Sequence, residues 1–101
     1  MKITDLGKEG RSWVKLVKRG FEFDAHELET LYQAGRCLDL IAACQEKIDL
    51  HGPVVTNELG ALRPNPACGI LRDQKTLFAR LNRELELFSG KDDPRIPKKG
   101  N

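Results

Sequence analysis

The chain has 101 residues, of which 32% are charged and 40% apolar, and a net charge of +2. That is one domain with room for a modest core, in the range of a soluble helical protein and not of a disordered one. No apolar run approaches the ~20 residues needed to span a bilayer. The opening MKITDLGKEGR also lacks the apolar centre of a signal peptide, so we expect a cytoplasmic protein with no membrane partner.

The charge is unevenly placed. Residues 1–20 carry Lys2, Lys8, Arg11, Lys15, Lys18 and Arg19 against Asp5 and Glu9, a local balance of +4. Residues 21–90 sum to −4, and residues 91–101 to +2. Basic ends around an acidic middle can mark an anionic partner, or can be ordinary surface charge.

Leu6 to Gly20 reads as a lead helix. Leu6, Trp13, Leu16, Val17 and then Phe21 gather on one side, with Trp13 as the core anchor. Lys8, Arg11, Lys15, Lys18 and Arg19 gather on the other. That side faces either solvent, the commoner fate of a basic stripe, or phosphate. Gly7 and Gly10 weaken the start of the helix. Phe21-Glu22-Phe23 links it to the next element.

The longest element runs from Asp24 to Leu50. Asp24 and Glu27 have the spacing of a capping box, and Phe23 with Leu28 that of a hydrophobic staple. Gly52 suits the left-handed position that closes a helix. About 26 residues give a rod of roughly 39 Å. Two apolar stripes run along it. Leu28, Leu31, Tyr32, Gly35, Leu38 and Ala42 form the first. Cys37, Ile41, Cys44 and Ile48 form the second, with Arg36, Asp39 and Glu46 turned away. Such a wide apolar surface implies either a central place in a bundle or a second copy of the chain. The chain is too short to surround so long a helix, which favours the second copy and makes Cys37, Ile41, Cys44 and Ile48 the candidate oligomer interface.

Pro53, Pro64 and Pro66 interrupt helix after Leu50. Val54-Val55-Thr56 and Leu62-Arg63 can pair as a small β-hairpin around Asn57 to Ala61, with Gly60 at positive φ, or form an ordered loop. Asn65 and Pro66 then open a last helix as N-cap and first residue. Its stripe is Ala67, Ile70, Leu71, Gln74, Leu77, Phe78, Leu81, Leu85 and Phe88, and it stops before Gly90. The expected fold is mainly all-α: a long antiparallel helical hairpin with an N-terminal helix and a small β-hairpin or loop between the long helices. A single helical domain then covers residues 1–90, and residues 91–101 form a mobile basic tail.

No catalytic constellation is recognisable. Cys37, Cys44, Cys68, His26 and His51 lack zinc-ligand spacing, and there is no phosphate loop or GxGxxG. We therefore expect neither an enzyme, nor a metal, nor a cofactor. The three cysteines, without a CxxC pair, fit reduced thiols.

In order, GKEGRSWVKLV, FEFDAHELETLYQAGRCLDLIAACQEKI, a glycine-containing hairpin and RPNPACGILRDQKTLFARLNREL make up most of the chain. This arrangement resembles the small subunits of the terminases that package DNA in tailed phages and prophages. The motifs that carry the resemblance are Phe21–Glu27, the stretch from Leu31 ending in Leu38-Asp39, and Asn65-Pro66-Ala67 followed by Leu71-Arg72. The resemblance implies a non-catalytic protein in a bacterial host cell. It would bind double-stranded DNA at the packaging start, assemble as a ring or other homo-oligomer, and hand DNA to a large subunit that holds the ATPase and nuclease. The first 23 residues show no helix-turn-helix of the kind many such subunits carry. A helical adaptor that assembles without touching nucleic acid is the alternative.

Overall fold

The computed structural model describes residues 2–87, so the expected basic tail and Phe88 lie outside the described residues. The fold is mainly α-helical. A 3-10 turn (Ile3–Asp5) leads into α1 (Lys8–Gly20) and α2 (Ala25–His51); strands β1 (Val54–Thr56) and β2 (Leu62–Pro64) follow, and α3 (Pro66–Glu84) closes the order. Helices α2 and α3 pack along each other as an antiparallel pair, and α1 docks on the N-terminal half of α2.

The local signals act as their chemistry requires. Asp24 accepts the Glu27 backbone N–H at 2.7 Å, and the Glu27 carboxylate accepts the Asp24 N–H at 3.1 Å. Two of the donors left orphaned at the start of α2 are thereby satisfied. Gly52, with φ of 79°, turns the chain out of α2. The antiparallel strands pair Val54 with Pro64, Val55 with Arg63 and Thr56 with Leu62. Asn57 sets the turn, its side-chain oxygen accepting the N–H groups of Leu59 and Ala61 at 2.9 Å each.

Asn65 joins the hairpin to both long helices. Its side-chain oxygen caps α3 through the Ala67 N–H at 3.0 Å. Its side-chain amide donates to the Gly52 carbonyl at 2.9 Å, and its backbone N–H to the Pro53 carbonyl at 2.8 Å. Asn65 is buried, so these bonds replace water that cannot reach it.

The core lies where all three helices meet. Leu6, Val14, Leu31 and Leu85 form one buried cluster, with Trp13, Val17, Phe23, Leu28 and Leu87 packed on it. Ala34, Cys37 and Leu81 form a second, flanked by Trp13, Leu77 and Phe78. Trp13 touches both and meets Phe78 edge to face, with ring centroids 5.2 Å apart. It is the anchor expected of it.

Three expectations are corrected here. Leu16 is not a core residue: it is 61% exposed, and Val14, fully buried, takes that role. The rotation follows from backbone contact between α1 and α2 at Gly10 and Gly35, which places Gly10 and Val14 at the centre of the buried face. Helix α3 stops at Glu84, short of Phe88. Leu87 N–H donates to the Asn82 carbonyl and Glu86 N–H to that of Arg83, both at 3.0 Å, with Glu86 at φ of 61°. This is a Schellman closure with glutamate in the position that glycine usually takes. It turns Leu85 and Leu87 onto the core. Finally, Ile70 is 48% exposed and does not serve the α2–α3 seam.

These placements separate two leucines. Leu31→Ala should lower the free energy of unfolding by about 2–5 kcal/mol. Leu16→Ala should change it by no more than about 0.5 kcal/mol. Urea titration followed by circular dichroism measures both.

Candidate nucleic-acid interface

The basic side of α1 is held in place from beneath. Gly7, the N-cap residue, has no side chain with which to cap the helix. The cap comes instead from α2: the Asp39 carboxylate accepts the Gly7 N–H at 2.7 Å and the Gly10 N–H at 2.8 Å. A single carboxylate thus satisfies the cap residue and the third residue of the first turn, and sits at the positive end of the helix dipole. Asp39 was expected on the charged face turned away from the core. It is half-buried against α1 instead.

Glycine is required at the crossing. A Cβ on Gly7 would lie 2.9 Å from Asp39 Oδ1, and one on Gly10 would collide with the Gly35 carbonyl oxygen. One on Gly35 would meet a Val14 methyl carbon at 2.9 Å. The glycines that weaken the helix by propensity are the ones that let it approach α2.

With α1 so fixed, Lys8, Lys15, Lys18 and Arg19 are exposed. At about 100° per residue the five cations, Arg11 included, fall within an arc of about 100°, whose Lys18 edge borders the buried face about 40° from Val14 and whose Arg19 edge lies about 140° from it. The structure keeps them together, with one qualification for Arg11. Its guanidinium folds back and donates to the Leu6 carbonyl at 2.8 Å and the Thr4 carbonyl at 3.4 Å. Arg11 is half-buried and ties the 3-10 turn to α1, so its role is at least partly structural. The Lys18 ammonium stands 5.9 Å from the centre of the Tyr32 ring, a cation–π contact that steadies it.

The expected oligomer stripe divides. Cys37 and Cys44 are buried within the chain itself, while Ile41 and Ile48 are half-buried. Cys37 is taken up by packing against α3, so the four residues do not form one free face. Burial pushes the Cys37 thiol up in pKa, against a smaller opposing pull from its backbone hydrogen bond. It is therefore a packing group and a poor nucleophile. Among the described residues no cluster of three or more His, Cys, Asp or Glu side chains could hold a metal ion, and no helix is long and apolar enough to cross a membrane.

Comparison with family models, curated proteins and solved structures gives no match.

The Asp39 cap is directly testable. Asp39→Ala strands two N–H groups at the start of α1 and should cost about 0.5–2 kcal/mol, the range for loss of a cap. Gly10→Ala should cost about 1–3 kcal/mol through overpacking. Equilibrium denaturation reads both, and amide exchange in residues 8–20 should accelerate first in Asp39→Ala.

Proposed function

We propose that this protein is a non-catalytic, DNA-binding component of a phage or prophage DNA-packaging machine, the small subunit of a terminase. It assembles as an oligomer in the bacterial cytoplasm, engages double-stranded DNA at the packaging start and passes it to the large subunit. The observation that carries this reading is the row of exposed cations on α1, held on a helix whose opposite face is locked to α2. The order of elements, with a lead helix, a long helical hairpin and a small β-hairpin between its arms, supports it.

Lys8 to Arg19 span about 16 Å along the helix. That exceeds the ~12 Å width of the major groove, so one α1 can reach the phosphates on both sides of it. Phosphate contacts position a protein without reading sequence, and repetition of the stripe in an oligomer adds weak contacts through multivalency. Lys8, Lys15, Lys18 and Arg19 make the contacts in this reading. Arg11 supports the helix start and contributes its charge.

Fluorescence anisotropy on duplex DNA across a salt series tests the proposal. Lys15→Ala/Arg19→Ala removes two exposed cations and should spare the fold. Binding should weaken, and the slope of log K against log salt should become shallower by about 1.8, at ~0.9 per phosphate contact. Wild-type affinity and slope in the double variant would remove α1 as the DNA face. Failure of the wild-type protein to bind duplex at low salt would leave the adaptor reading in its place.

A further inference from the structure

The end of the molecule away from α1 is unusually apolar at its surface. Among the described residues, the large apolar side chains most open to solvent are Leu16 and six others: Leu40, Leu50, Val54, Leu59, Leu62 and Ile70. All six lie on the second half of α2, the hairpin or the first turns of α3, beyond the part of α2 that α1 covers. Two of the six, Leu40 and Ile70, line a groove of about 490 Å³ between α2, β1 and α3, whose walls also include Ala43, Val55 and Pro66. Lys47 and His51 border it on the α2 side. Its buried polar residue, Asn65, is already engaged by Gly52 and Ala67. A small polar ligand would find few converging donors or acceptors there. An apolar side chain beside a carboxylate fits it better.

The same chain displays such a pair. Leu59, at the hairpin tip, is 92% exposed, and Glu58 is its neighbour. Arg63 shares the shallow recess behind them. The tip is preorganised, because Asn57 accepts from both Leu59 and Ala61 and Gly60 N–H closes on the Asn57 carbonyl at 3.0 Å. A tip already ordered loses little entropy on docking. Its exposure means that Leu59 does not fill the groove of its own chain.

We propose that the groove receives the hairpin tip of a second copy of this chain, with Leu59 against Leu40 and Ile70 and Glu58 toward Lys47 and His51. Each copy offers one tip and one groove, so the contact is head-to-tail and repeats around a closed ring or along an open chain. The inference rests on the assembly half of the proposed function and is independent of the DNA half.

Sedimentation velocity of the full chain tests it, with circular dichroism confirming retained helicity. Wild type should show species heavier than one 11.4 kDa chain, rising with concentration. Leu59→Glu spoils the tip and Ile70→Glu the groove, and each variant alone should run as a monomer. Mixed in equal amounts they should form dimers, since the intact tip of Ile70→Glu meets the intact groove of Leu59→Glu. Wild-type mass in either single variant, or a mixture that stays monomeric, would overturn the contact while leaving assembly through another face. A wild type that is monomeric at all concentrations would remove both.

Discussion

The placement of α1 depends on one carboxylate. Asp39 reaches from the middle of α2 to the N–H groups of Gly7 and Gly10 and so supplies from outside what α1 cannot supply from within. The bond is possible only because the backbones come very close, and they do so only because Gly10 and Gly35 face each other without side chains. Cap and crossing therefore depend on each other. The capped N-terminus fixes where α1 starts, the crossing fixes its rotation, and together they determine which residues enter the core. Val14 goes in, Leu16 goes out, and Lys8, Lys15 and Arg19 are left exposed. A helix rich in lysine and arginine would otherwise gain little from docking; here the partial positive charge of its N-terminus is answered by an acid on its partner.

The two ends of the molecule differ in consequence. Where α1 lies on the helical pair, Leu6, Val14, Leu31 and Leu85 leave almost no surface open, and Trp13 spans to α3. Past Asp39, among the described residues, the pair has no third layer, and α2 and α3 show solvent the flanks that α1 would have covered. The described body is accordingly elongated, about 60 × 29 × 20 Å. A small chain that builds one compact end and one thin end leaves much of its apolar surface unburied at the thin end, as expected for a domain of limited size. The basic helix and the apolar groove thus lie toward opposite ends of α2, which lets one rod display two chemically different surfaces.

The sequence made the helices, the hairpin and their order legible because those features rest on local chemistry: the Asp24–Glu27 box, Gly52, Asn57 with Gly60, and Asn65-Pro66. What depends on packing between elements was not legible. The Asp39 cap spans 32 residues of sequence, and on a helical wheel its carboxylate belongs with the charged residues. The first turn of α1 does carry a hint, since a helix starting with Gly7 and no capping side chain has donors to satisfy. The early stop of α3 carried no such hint, because Glu86 occupies a position usually given to glycine. Periodicity groups the basic residues of α1, but the folding of Arg11 onto Leu6 and Thr4 depends on a 3-10 turn that no periodicity reveals. Cys37 and Cys44 share a helix face, as their spacing requires, yet that face turned out to be largely internal.

Asn65 has a consequence for how this architecture can vary. Its three hydrogen bonds close the chain at the base of the hairpin, linking the end of α2 to the start of α3 before any residue of the tip is involved. Everything between Val54 and Pro64 therefore hangs from a junction that is complete without it. Lengthening or replacing the tip would leave the registration of the long helices untouched, since each doubling of a flexible loop adds only about 0.6 kcal/mol of closure entropy. The hairpin is thus an interchangeable module: its sequence can diverge, and with it the surface it touches, while the helical body that carries it stays the same.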